Sequence, residues 1–172
     1  MKKTAHNNIA YIDAANLHFG LRALGWKIHY TRFRVWLTEK YGVQTAYLFI
    51  GLLGNKSGLY QHLQEAGFVL IFKETVMSAD GKPKGNCDAE LVLQAAQDAY
   101  EKNHGKAIIV SSDGDYACLV RFLKNKEKNP VIISPSNKCS VLLKKTNVPL
   151  TYLDTIRVHL EKEKAPDADG TA

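Results

Sequence analysis

Cysteine is scarce in this chain: Cys87, Cys118 and Cys139 are the only three among 172 residues, and no two form a CxxC pair. An odd, widely spaced set argues against a disulfide framework or a cysteine zinc knuckle and fits a reducing compartment. The six histidines show no metal-ligand spacing either. No apolar run approaches the ~20 residues a membrane helix needs. Near the start, Asp13 interrupts the one stretch that resembles a signal-peptide core. Internal repeats and low-complexity blocks are absent. The expectation is a cytoplasmic protein with no membrane partner.

A nucleotide-binding loop is nearly present and fails. "GLLGNKSG", Gly51 to Gly58, lies between a strand-like run and a helix-like run. The phosphate-loop pattern needs Gly immediately before the Lys-Ser pair and another Gly five residues earlier. Asn55 and Ile50 hold those places, which argues against an ATPase. Lys56, beside a helix start, is left as a candidate phosphate contact on a substrate path.

The length suits one compact domain with a sizeable core. Lys and Arg number 23 against 17 Asp and Glu, a net charge of +6 that fits a polyanion partner. Short β-branched or aromatic runs cover 9–12, 43–50, 68–73, 106–111, 130–134 and 149–153. They alternate with helix-periodic segments at 14–24, 31–40, 57–66, 88–103, 115–126 and 138–145. That alternation predicts βαβ units around a mainly parallel sheet, an α/β fold. Glu74–Asn86 has Gly, Pro and lysines without period and reads as a long surface loop. Residues 1–160 are expected to form one domain, and 161–172 a disordered polar tail. Trp26, Tyr30, Phe33 and Trp36 stand among Lys27, Arg32 and Arg34; base stacking is conceivable, and helical packing into the core explains them more simply.

Acids gather where strands stop. Asp13 closes "AYID"; Asp113 and Asp115 follow the strand-like 106–111 run in "SSDGDY"; Asp88 opens the helix "DAELVLQAAQDAYEKN". In parallel sheets, sites form at the carboxyl ends of strands. Asp88 heads the stripe Val92, Ala95, Ala96 and Ala99, and Asp115 heads Cys118, Leu119 and Phe122, so both are expected to point inward. Any one of these acids is an ordinary helix cap. A single helix start needs only one cap, however, and three segments deliver acids to one end of the sheet. Such a cluster needs protons or a cation, and oxygen ligands without His or Cys suit Mg²⁺ or Mn²⁺. Asn16, one turn after Asp13, is placed to be a neutral ligand or substrate contact. Ser111 and Ser112 either contact the site or satisfy the strand end. Gly114 is expected to let the backbone turn sharply between the two aspartates.

Three motifs together, "YIDAAN", "KGNCD" (Lys84–Asp88) and "SSDGD", resemble the NYN domain family of the PIN-like nucleases. The likeness runs over roughly 8 to 155. It implies a three-layer α/β/α sandwich and metal-dependent hydrolysis of phosphodiester bonds, in RNA more often than DNA. Carried over, Asp13, Asp88, Asp113 and Asp115 would bind metal and act in catalysis, Asn16 would help arrange the site, and Lys84 would be the basic residue beside it, with Lys82 also steadying phosphate. Two residues separate Gly85 from Asp88, where the shorter motif has one; Glu90 is the alternative acid.

A metal-dependent nuclease is thus the leading reading. The alternatives are a catalytically weak nucleic-acid-binding module of the same fold and a metal-dependent phosphatase of small substrates. A homo-oligomer stays open.

Overall fold

In a computed structural model, residues 7–73, 76–77, 83–84, 87–102 and 105–163 are described. Six strands form one sheet: β1 (Asn8–Asp13), β2 (Val43–Gly51), β3 (Val69–Lys73), β6 (Ala107–Val110), β7 (Val131–Ser134) and β8 (Leu150–Tyr152). Their order is β3-β2-β1-β6-β7-β8, with every adjacent pair parallel. The predicted α/β class and the three-layer sandwich are both found.

The uninterrupted apolar strands follow from cover on both faces. In β1, Ala10 and Ile12 face one core with Ile108 and Val110 of β6; Ile9 and Tyr11 face the other with Ala107 and Ile109. The first core is closed by α1 (Ala14–Ala23), α2 (Tyr30–Tyr41), α3 (Ser57–Glu65) and α7 (Arg157–Leu160). The second is closed by α4 (Asp88–Glu101), α5 (Ala117–Asn125) and α6 (Val141–Lys144). Leu17 and Leu21, fully buried one turn apart, hold α1 on the sheet; burial of each contributes about 1.5–3 kcal/mol. His29 Nδ1 caps α2, which ends at Gly42 with φ 65°, the left-handed position a Cβ disfavours. Trp26 and Phe33 are core residues, as expected, while Tyr30 and Trp36 pack against that core half-buried.

Four expectations need correction. Within Glu74–Asn86, β4 (Val76–Met77) and β5 (Pro83–Lys84) pair as a short antiparallel ribbon; strands of two residues have no alternation to read. The start of the expected tail is held, since Ile28 bridges Glu161 and Lys162 N–H donates to the Lys27 carbonyl at 2.8 Å. The buried stripe of α4 is Leu91, Ala95, Asp98 and Ala99, rotated from the predicted one because Tyr11 Oη draws Asp98 inward with a 3.0 Å hydrogen bond. Finally, a 3-10 turn (Gly114–Tyr116) precedes α5 and shifts its phase. It leaves Cys118 and Asp115 exposed and turns Tyr116 and Leu119 inward.

Among the described residues no helix is long and apolar enough to cross a membrane.

Candidate metal centre

The order reverses at the centre of the sheet: β1 has β2 on one side and β6 on the other. Connections from these strands leave in opposite directions, and in parallel sheets ligand sites form at the carboxyl ends of strands beside such a switch point. Asp13 is the last residue of β1, and Asp113 follows β6.

Asp13 caps α1, Oδ1 accepting from the Asn16 N–H at 3.0 Å. Asp113 caps the 3-10 turn, Oδ1 accepting from the Asp115 N–H at 3.0 Å. Capping is therefore part of what these two acids do. It does not account for Asp88 or Asp115. The cap position of α4 is Cys87, which makes no side-chain cap bond, and Asp88 is the first helical residue.

Asp88, Asp113 and Asp115 each offer one carboxylate oxygen to a group whose atoms all lie within 4.8 Å of one another. Asp88 is half-buried and Asp115 exposed. Asp13 stands outside this group of three, joined to it by Tyr116. The Tyr116 hydroxyl lies 3.1 Å from Asp13 Oδ2 and 2.5 Å from Asp88 Oδ1. Burial holds the Asp13 carboxyl above its usual range, and the like charges of Asp88 and Asp113 add to this, against hydrogen bonds from Asn16 N–H and Tyr116. Burial and the carboxylates of Asp13 and Asp88 push the Tyr116 hydroxyl far up, so it stays a proton donor.

Asn16 Oδ1 accepts from Ser112 N–H at 2.9 Å and from Ser112 Oγ at 3.0 Å. Asn16 thereby ties α1 to the end of β6. Ser111 is fully buried and its hydroxyl accepts from the Asp113 N–H at 3.1 Å. It orders the turn that follows β6. Glu90, the alternative acid, is paired with Lys73 at 2.5 Å and lies outside the acid group. Lys56 precedes α3, exposed, with no side-chain cap bond. Lys84 enters as the backbone partner of Val76, and Lys82 lies outside the described residues.

Gly114 has a different reason from the one expected. A Cβ there would meet Ser140 Oγ at 2.5 Å and Leu142 Cδ1 at 3.2 Å. Ser140 in turn donates its N–H to the Ser112 carbonyl at 3.0 Å and caps α6. The glycine permits close approach of α6; its backbone φ is not positive.

The donor set is all oxygen. The nearest thiol in sequence, Cys87, is pushed up to about 11, first by burial and then by Asp13, Glu90 and Asp88, so it is no thiolate at neutral pH. Three carboxylates without imidazole or thiolate fit a hard divalent cation.

No curated protein matches the chain. A solved structure of a protein of unknown function from Vibrio parahaemolyticus superposes with a TM-score of 0.75 at 23% identity, covering 94% of this chain and 100% of that one. At that identity it speaks for the fold alone. The profile of the NYN domain matches residues 8–152, from the first residue of β1 to the last of β8. The chain belongs to the NYN domain family, within the PIN-like nuclease superfamily.

Proposed function

We propose that the protein is a metal-dependent nuclease that hydrolyses phosphodiester bonds in RNA, with Mg²⁺ or Mn²⁺ held by Asp88, Asp113 and Asp115. The observation that carries this reading is the convergence of those three carboxylates within 4.8 Å at the end of β6 and the start of α4. Three like charges that close repel, and a divalent cation offsets the repulsion.

A cation bound there supplies positive charge to a phosphate and acidifies an attacking water. The chain's own residues do the rest. Asp115, the most exposed of the three, is the carboxylate open to accept a proton from water. Tyr116 fixes Asp88 against Asp13, so the helix-borne acid is held relative to the strand-borne one. Asn16 Nδ2 is a donor for a phosphate oxygen. Lys56, Lys82 and Lys84 provide positive charge for the incoming strand. Three free cysteines suit a reducing, cytoplasmic setting.

The test is incubation of the purified protein with end-labelled single-stranded RNA and DNA in Mg²⁺, Mn²⁺ or EDTA. The reading expects RNA cleavage with either metal and none in EDTA. Full cleavage in EDTA by metal-free protein would end it.

A further inference from the structure

On the sheet face that carries α1 and α3, a cleft of about 510 Å³ opens between these helices, the α1–α2 connection and the C-terminal segment. Arg22, Lys27 and Lys162 line it with His18, His29 and His62, and no carboxylate is among the lining residues. We propose that this cleft holds the segment of a single-stranded RNA that flanks the scissile bond, with its phosphates on Arg22, Lys27 and Lys162. The inference rests on the nuclease reading above and names where its substrate lies.

The charges are arranged for a ligand. Arg32 and Arg157, close by, are neutralised by Glu163 and Glu161. Arg22, Lys27 and Lys162 have no ion-pair partner among the described residues. His18, which lines the cleft, is held below the usual imidazole range by burial, then by Arg22, Lys27 and Lys56. Lys56 thus belongs to the same positive region as the cleft. A cleft lined by one sign of charge concentrates a polyanion.

The position follows from α1 itself. Asp13 caps this helix and Arg22 sits in its last turn. At ~1.5 Å of rise per residue the two are on the order of 14 Å apart along the axis, within reach of one short stretch of polynucleotide. Between them, Phe19 is 62% exposed and meets His18 edge-on at 5.3 Å, an aromatic surface on which a base can stack. The cleft volume lies in the range of small-ligand sites, which suits a few nucleotides and not a duplex.

The cleft is also preformed. His29 N–H donates to the Leu160 carbonyl at 2.7 Å and Lys162 N–H to the Lys27 carbonyl at 2.8 Å. Two of the three cations therefore project from paired backbone. Trp26, 3% exposed, lines the cleft, and its indole N–H finds no acceptor among the described residues.

The test is fluorescence anisotropy with a 5′-labelled 12-nucleotide oligouridylate in EDTA, across a salt series. The variants are Arg22→Gln/Lys27→Gln in the cleft and Lys126→Gln/Lys145→Gln on the opposite sheet face. All four residues are exposed, so both variants keep the fold. The cleft variant is expected to bind at least about fivefold more weakly, its slope of log affinity against log salt reduced by about 1.4, at about 0.7 per phosphate contact. The control should match wild type. Equal affinity and slope in the cleft variant would overturn the inference. So would uridine monophosphate binding as tightly as the oligonucleotide, which would make the cleft a mononucleotide site. Cleavage by wild type in Mn²⁺ with an unchanged KM in the cleft variant would sink the cleft and leave the nuclease standing. Cleft-dependent binding with no cleavage in either metal would sink the nuclease reading, and with it the scissile bond, and leave the cleft as a binding site for single-stranded RNA.

Discussion

The Tyr116 hydroxyl lies between two carboxylates, 3.1 Å from Asp13 Oδ2 and 2.5 Å from Asp88 Oδ1, and so joins the end of β1 to the start of α4. It has one proton for two acceptors. Burial, with the like charges of Asp88 and Asp113, raises the Asp13 pKa against the hydrogen bond from Tyr116, which lowers it.

Replacing Tyr116 with Phe removes this link and keeps the buried ring. The loss removes the Tyr116 donor from the buried Asp13 Oδ2, at a cost of about 1–3 kcal/mol in metal-free unfolding. The residue acts through Asp88, so metal affinity should fall by about 10–100-fold, as for an outer-shell partner. Thermal shift against Mn²⁺ concentration reads this. An unchanged midpoint would make the hydroxyl merely structural.

Asp13 gives a pH signature. Its pKa is raised from 3.8 in the fold, so the folded state binds more protons than the unfolded state between the two values. Its contribution to stability is present below the unfolded pKa and is lost as pH rises through the folded one. Asp13→Asn keeps the cap acceptor and removes that loss. In EDTA the variant should therefore be more stable than wild type near neutral pH, with the difference shrinking as pH falls towards 4. A difference that grows on acidification would contradict the assignment.

Gly114→Ala should cost about 1–3 kcal/mol, as overpacking against a fixed neighbour does, since the added methyl would meet Ser140 Oγ at 2.5 Å. Chemical denaturation measures it. Ser140→Ala in the same chain should recover part of the loss; no recovery would place the strain elsewhere.

Asp98 provides a contrast. It is buried on α4 and takes hydrogen bonds from Tyr11 at 3.0 Å and Gln94 at 3.0 Å, with Lys102 at 2.9 Å. Asp98→Ala leaves the buried Tyr11 hydroxyl unmet, at a cost of about 1–3 kcal/mol. It should melt lower by the same amount with and without metal, and a changed metal shift would tie this network to the site.

The features legible in the sequence were those set by short-range rules. Ile9–Ile12 and Ala107–Val110 are apolar throughout, so buried central strands were readable, and the acids that end them mark the sheet's carboxyl edge. Other features depend on contacts between distant segments. Tyr116 reads as an aromatic on a helix face; nothing local says that its hydroxyl meets Asp13, 103 positions away. Asp115 was expected to point inward because the helix phase was counted from it, whereas the 3-10 turn resets that phase. No local pattern marks Asp98; its burial depends on Tyr11, 87 positions away. Arg22, Lys27 and Lys162 become one cleft only when the C-terminal segment pairs with Lys27.

The central claim is that Asp113 belongs to a cation-binding cluster and is more than a cap. Asparagine offers the same acceptor to the Asp115 N–H, so as a cap it serves almost as well, whereas alanine would cost about 1 kcal/mol. As a member of the cluster, Asp113→Asn relieves repulsion in the metal-free protein and weakens the cation site. The decisive measurement is a melting series of wild type and Asp113→Asn, each in EDTA, Mg²⁺ and Mn²⁺, beside the RNA cleavage assay. The account predicts that the variant melts at or above wild type in EDTA and loses most of the metal-induced shift. Cleavage should fall by about 100-fold or more, beyond the usual cost of losing an outer-shell partner. A variant that keeps both its metal shift and its cleavage rate would return Asp113 to the role of a helix cap and contradict the metal centre.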